Sequence, residues 1–137
     1  MDCVFCAIVA GDIPSTQVDE DERVLAFMDI NPATYGHTLV IPKAHAADVL
    51  EIPTDDLTAA AAMGQRIAKR AMANLGADGV NLLNSCKAEA WQTVFHFHLH
   101  VIPRYASGPH ADGMTLPWTP QETDFDAIGA AAEQLRA

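Results

Sequence analysis

The segment HFHLHVIP, residues 96–103, sets the tightest limit on what this chain can become. Titratable and apolar residues alternate there one by one, the period of a β-strand, whose successive side chains point to opposite faces. A strand over these residues puts His96, His98 and His100 on one face and Phe95, Phe97, Leu99 and Val101 on the other. The apolar set is then the core face, and the imidazoles stand about 6–7 Å apart along the strand, two residue rises each. Three histidines at that spacing are far more than an ordinary solvated strand face carries. Two chemistries remain open. The neutral rings can be ligands of one metal ion, as in three-histidine zinc enzymes. Alternatively, one ring is a nucleophile or base and its neighbours fix its tautomer.

The rest of the chain supplies the frame for such a strand. RVLAFMDI, HTLVIP and GVNLLN are β-rich and bounded by turn signals, with Asn31-Pro32 and Tyr35-Gly36 between the first two. LTAAAAMGQRIAKRAMANLG is helical in pattern. Thr54 is its expected N-cap, Asp55 and Asp56 suit the first turn, and Gly76 suits the C′ position. Leu57, Ala61, Gly64, Ala68, Ala71 and Leu75 make its expected buried stripe, with Gly64 explained by close packing on a sheet. TDFDAIGAAAEQLRA reads as a second helix with a Thr123–Asp126 capping box, and Phe125, Ile128, Ala132 and Leu135 share a face. CVFCAIVAG suits a short helix at one end. The expectation is an α+β fold: an antiparallel sheet of about five strands, one long helix and a C-terminal helix. Its 137 residues fit one domain spanning 1–137, whose C-terminal tail and helix begin at about residue 106. The Pro-, Gly- and Thr-rich stretch from Ala106 to Gln121 reads as an extended loop pinned by Leu116 and Trp118.

Composition excludes several classes. The formal charge is −10 and no basic run exists, so a nucleic acid duplex is not an expected partner. No apolar run reaches the roughly 20 residues of a membrane span. The N-terminus, with Asp2 at once and no basic region, does not read as a signal peptide. Three cysteines without a secretion signal argue against a disulfide framework and for a reducing cytoplasm. Cys3-x-x-Cys6 alone reads as a redox pair, a metal half-site or two buried small residues.

Beyond the strand, HFHLHVI resembles the His-φ-His-φ-His-φ-φ signature of the histidine triad (HIT) superfamily, particularly its bacterial phosphoramidase-like members. FMDINPATYGHTLVIPKAH resembles the family's strand pair, NLLNSCKAEAWQTVFHFHLHVIPR its active-site loop and triad strand, and CVFCAIVAGDIP the N-terminus of bacterial members. The resemblance runs nearly continuously to Arg104 and more loosely through the tail. It implies that His98 attacks the α-phosphorus of a nucleotide to give a nucleotidyl-histidine that water hydrolyses, two easier displacements in place of one. It implies that His100 lies beside the phosphate and leaving group, and that His37 buttresses the triad. Gln92 and Thr93 would contact phosphate, with Asn84 at the opposite rim. Asp29 would accept from the ribose hydroxyls, and Phe5, Ile8, Phe27 and Ile30 would line the base pocket. For those four, plain core packing is the reading from sequence alone.

The resemblance further implies a structural zinc held by Cys3, Cys6, His45 and His96, a closed tetrahedral set, with no organic cofactor. It implies a homodimer, with Trp118 and the tail as interface, and a purine nucleotide substrate. One departure stands out: Trp91 occupies a position that is usually Gly, where backbone approaches phosphate closely. Cys86 and His110 have no role in this scheme, and Lys43 and Arg104 flank the site-bearing strands. The expected activity is that of a purine nucleoside phosphoramidase-like hydrolase. A dinucleoside polyphosphate hydrolase, a nucleotide-binding regulatory protein with little turnover, and a metalloenzyme built on His96, His98 and His100 are the alternatives.

Overall fold

A computed structural model describes residues 2–115 and 120–136. The elements run α1 (Val4–Ala10), β1 (Gln17–Glu20), β2 (Val24–Met28), β3 (Thr38–Pro42), α2 (Thr54–Asn74), β4 (Gly79–Leu83), a 3₁₀ turn (Ala88–Ala90), β5 (Leu99–Arg104) and α3 (Phe125–Arg136). The strands form one five-stranded antiparallel sheet in the order β1-β2-β3-β5-β4. The expected α+β architecture is therefore present. Among the described residues, no helix is long and apolar enough to cross a membrane.

Strand alternation divides the core into two layers. Val24, Ala26, Val40, Phe97 and Val101 face α2, where they meet Ala60, Met63 and Ile67. Leu25, Phe27, Leu39 and Ile41 face the other way and pack against Phe5 and Ile8 of α1. β2 and β3 are thus apolar on both faces, which is why neither reads as a half-polar strand. Gly64 sits where a Cβ would come within 2.8 Å of Leu99 Cδ2, so α2 lies directly on β5 and the close-packing reading holds.

Four local expectations are corrected. Thr54 is the first residue of α2 rather than its N-cap; Pro53 takes that position, and no side chain caps the helix. Ala61 is exposed, because the buried stripe runs through Asp56, Ala60, Met63, Gly64, Ile67 and Ala71. The start of α3 is capped by Asp124, whose Oδ1 accepts from the Ala127 N–H at 2.8 Å, instead of by a Thr123–Asp126 box. The triad segment is only partly strand. β5 begins at Leu99, and His96 and His98 lie in the bend that precedes it. Pro42 ends β3 and has no N–H to extend a ladder, so the chain turns aside and the Phe97 N–H bonds to the Ala46 carbonyl at 2.7 Å instead. Phe95, expected in the core, is consequently 52% exposed. Leu116 and Trp118 lie outside the described residues.

Candidate active site

His98 and His100 keep the alternation that their spacing predicts, and both project to the α1 side of the sheet. That side is a cleft of about 430 Å³ rather than open solvent. His98 is 6% exposed. Its Nδ1 lies 2.8 Å from the His96 carbonyl, which can only accept, so Nδ1 carries the proton and Nε2 keeps its lone pair. Burial lowers the His98 pKa, partly offset by that hydrogen bond, which keeps the ring neutral. Asn84 Nδ2 donates to the His98 carbonyl at 3.0 Å and fixes the backbone beneath the ring. The Phe5 ring stands perpendicular to it, with centroids 5.2 Å apart.

A second chain of hydrogen bonds fixes the tautomer of His100. The Ala33 N–H donates to His37 Nδ1 at 2.9 Å, so His37 must hold its proton on Nε2. That Nε2–H donates to His100 Nδ1, also at 2.9 Å, leaving His100 with a proton on Nε2. Asp29 Oδ2 lies 3.5 Å from His37 Nε2 and favours the N–H on that nitrogen. Burial lowers both pKa values, that of His100 to about 4 with help from the neighbouring His98 and His37 rings. Two neutral rings with opposite polarity therefore face the cleft: His98 offers a lone pair, and His100 offers an N–H. Asp29, His37 and His100 are also close enough to hold a metal ion. The Ala33 N–H opposes this, because it forbids the tautomer that would free His37 Nε2.

The apolar end of the cleft is lined by Phe5, Ile8, Phe27 and Ile30, joined by Ile13 and Leu39. Phe5 and Phe27 meet edge to face at 5.5 Å. The first three are core residues as well as lining, whereas Ile30 is 90% exposed at the rim. Asp29 and Thr93 line the same cleft. Gln92 does not. It is 3% exposed; its Oε1 accepts from the Lys87 N–H at 2.7 Å, and its Nε2 donates to the Ala47 and Val94 carbonyls. With both amide hydrogens used on backbone, Gln92 shapes the loop and has no donor left for phosphate. Ile13, Asn31 and Val94 also belong to the wall. They carry no sequence signal, because proximity in the fold alone brings them there. Another depression of about 300 Å³, between Val18 and the C-terminal half of α2, is lined by no histidine, cysteine or carboxylate.

Trp91 adopts a left-handed backbone, φ 76° and ψ 17°, at the end of the 3₁₀ turn, and is 62% exposed. A side chain there costs about 1–2 kcal/mol, which is the physical reason a glycine suits the position. Trp91→Gly is expected to stabilise the fold by up to about 1 kcal/mol in urea unfolding, after glycine's extra chain entropy is subtracted. A loss of stability would show that the indole holds the loop.

Four side chains meet beyond His98. His96 is fully buried and its Nε2–H donates to the Pro42 carbonyl at 2.8 Å, which leaves Nδ1 with its lone pair free. That Nδ1 lies 3.4 Å from Cys3 Sγ, 3.5 Å from Cys6 Sγ and 3.2 Å from His45 Nδ1, and Cys6 Sγ lies 3.3 Å from His45 Nδ1. The edges of a zinc tetrahedron with ordinary Zn–N and Zn–S bonds are about 3.3–3.8 Å, so these spacings fit one ion. His96 therefore turns away from His98 and His100, and the three triad rings do not converge on a common point.

The model of the HIT domain matches residues 10–107. The chain belongs to the HIT family. Over 135 residues it is 38% identical to the adenosine 5′-monophosphoramidase HNT1 of Saccharomyces cerevisiae, covering 98% of this chain and 81% of that protein. Among solved structures it is similar to SMU.412c of Streptococcus mutans UA159, with a TM-score of 0.90 and 46% identity over 98% of this chain and 83% of that one. It is also similar to a zinc-bound histidine triad family protein of Mycobacterium smegmatis, with a TM-score of 0.76 and 43% identity over 99% and 96% of the two chains. The HIT match begins inside α1 and stops before the tail, so Cys3, Cys6 and Phe5 lie outside it.

Proposed function

We propose that this HIT protein is a nucleoside phosphoramidase-like hydrolase that acts through a covalent nucleotidyl-histidine at His98. The observation that carries the reading is the locked tautomer of His98, which leaves a neutral Nε2 lone pair in a cleft with an apolar end and a carboxylate beside it. A flat base, a purine above all, buries its faces against Phe5, Ile8, Phe27 and Ile30 without base-specific hydrogen bonds. The Asp29 carboxylate accepts from two ribose hydroxyls. Nε2 of His98 forms a bond to phosphorus while the P–N bond breaks, and the departing nitrogen takes that electron pair and a proton from water, while the Nε2–H of His100 donates a hydrogen bond to a phosphate oxygen. The hydroxide so formed attacks phosphorus, the bond to His98 breaks, and the electron pair returns to the ring. Thr93 contacts the phosphate from the cleft wall. The kinship with the yeast monophosphoramidase supports the reaction class.

No lysine or arginine is among the described residues lining the cleft. A polyphosphate leaving group would bring several negative charges there without a counter-charge, which favours an amine over the dinucleoside polyphosphate alternative. The metalloenzyme alternative loses its ligand set, since neither cluster of metal-capable side chains among the described residues includes His98.

Cys3, Cys6, His45 and His96 fit a structural zinc, supported by their spacing and by the zinc-bound mycobacterial relative. Such an ion would tie the N-terminus to the start of the triad segment and supply no chemistry at phosphorus. A reducing cytoplasm suits the two thiols. We infer that residues 1–137 work as one domain and that two copies pair. The outer edge of β4, with Leu82 and Leu83 exposed, and the unburied apolar side chains of α3 support pairing.

The test is to quench wild-type protein in alkali during turnover of adenosine 5′-phosphoramidate and weigh it intact. A gain of one adenylyl group supports the covalent route, whereas steady AMP production with no adduct overturns it. The pH profile is a further check. The relay needs His37 and His100 neutral, and their lowered pKa values keep them so below 6.5. The acid limb of kcat is expected between 6.5 and about 4, and an inflection above 6.5 would contradict the relay. Stability follows the same sign. Because these rings ionise more readily when unfolded, their contribution is complete above 6.5 and declines as pH falls towards 4.

A further inference from the structure

The nucleotide cleft does not end at Thr93. A second depression of about 390 Å³ adjoins it, and the two share Val4, Thr93 and Val94 as a common wall. The rest of its lining is Asp2 and Phe95, together with Cys3 and His45 of the metal-fitting cluster. Phe95 is the residue whose alternation with the histidines places it in the core, yet the bend before β5 turns it outward and leaves it 52% exposed in this depression. The described lining of this depression, like that of the cleft, contains no lysine or arginine, and its one free carboxylate is Asp2.

A substrate attached to phosphorus on both sides needs room at both ends. The apolar end of the cleft suits the nucleoside, His98 and His100 line the cleft where the phosphorus would sit, and beyond Thr93 the cleft adjoins this second depression. Its chemistry is selective. An exposed aromatic face attracts a flat apolar body or a cation. A lone carboxylate attracts positive charge and repels negative charge. We propose that the depression bounded by Asp2, Val4, Thr93 and Phe95 is the leaving-group subsite, and that it takes an arylalkyl amine whose ring lies on Phe95 and whose far end carries a positive charge towards Asp2. The inference rests on the phosphoramidase reading and adds to it the class of amine released.

Four phosphoramidates of AMP test it: the unsubstituted one, whose ammonia is too small to reach Phe95, and those of benzylamine, 4-(aminomethyl)benzylamine and 4-(aminomethyl)benzoate. Wild-type kcat/KM is expected to rise from the carboxylate-bearing to the neutral to the ammonium-bearing amine. Phe95→Ala and Phe95→Leu should each lower kcat/KM for the two arylalkyl amines without carboxylate by about tenfold, the effect of roughly 1.4 kcal/mol, and leave the unsubstituted substrate unchanged. Asp2→Asn should narrow the gap between the ammonium- and carboxylate-bearing amines and alter nothing else. Phe95→Leu keeps an apolar side chain, so equal losses for all four substrates in both variants, at an unchanged melting temperature, would overturn the subsite. Unchanged preferences in all variants, with the unsubstituted substrate still cleaved, would overturn the subsite alone. No cleavage of any of the four by wild-type protein would overturn it together with the reading beneath it.

Discussion

His98→Ala is expected to lower turnover of adenosine 5′-phosphoramidate by roughly 10⁴-fold or more, the scale on which removal of a catalytic nucleophile acts, while AMP binds within a few-fold of wild type. The two halves of that expectation come from different parts of the cleft. Base and ribose would be held by Ile8, Phe27, Ile30 and Asp29, none of which depends on the His98 ring. The bond to phosphorus depends on it entirely, because no other group in the cleft offers a lone pair set free by a fixed tautomer: His100 presents an N–H instead. Loss of the ring also removes the edge contact with Phe5, so thermal melting must accompany the kinetics. A folded His98→Ala protein that binds AMP and still turns over at more than about a hundredth of the wild-type rate would remove His98 as nucleophile. Loss of binding and turnover together in a folded protein would show that the ring mainly shapes the base pocket.

How far the sequence could be read depended on whether a feature was local. The alternation of Phe97, His98, Leu99, His100 and Val101 is a property of consecutive residues, and the structure keeps it. His96 and Phe95 obey the same pattern but not the same geometry. What diverts them is Pro42, more than fifty residues away, which ends the neighbouring strand. β1, QVDE, is four residues long and mostly exposed, so it carried no pattern strong enough to read. The convergence of Cys3, Cys6, His45 and His96 came into the reading only through family resemblance, since nothing in CxxC or PKAH points to the other. The tautomers of His37 and His100 lay beyond any sequence argument, for they follow from one backbone N–H at Ala33. Gln92 shows the opposite hazard. A motif position suggested a phosphate contact, while the fold engages its whole amide in holding the loop.

Removing the ion from the Cys3–Cys6–His45–His96 cluster is expected to lower the melting temperature by about 10 °C without abolishing turnover at room temperature. A ligand present at 100 to 1,000 times its Kd stabilises the folded state by about 3–4 kcal/mol, and a chain of this length melts about 2–5 °C lower per kcal/mol lost. The loss is concentrated at one place. α1 reaches the sheet through Phe5 and Ile8, and its N-cap is Cys3, so an ion held there would join the start of that helix to the bend that carries His96. Without it, burial and the adjoining Cys3 sulfur favour the neutral Cys6 thiol, and only weak thiol–imidazole contacts remain to hold the cluster together. His98 is held differently, by the His96 carbonyl and by Asn84, and these contacts do not pass through the sulfurs. Chelation should therefore first broaden and lower the melt, and a Cys3→Ser, Cys6→Ser protein should behave like the chelated one. Immediate loss of kcat on chelation, at a temperature where circular dichroism is unchanged, would instead place a metal at phosphorus and reverse the assignment of His98. Unchanged melting after verified removal of zinc would leave the four side chains as a packed cluster whose spacing only resembles a metal site.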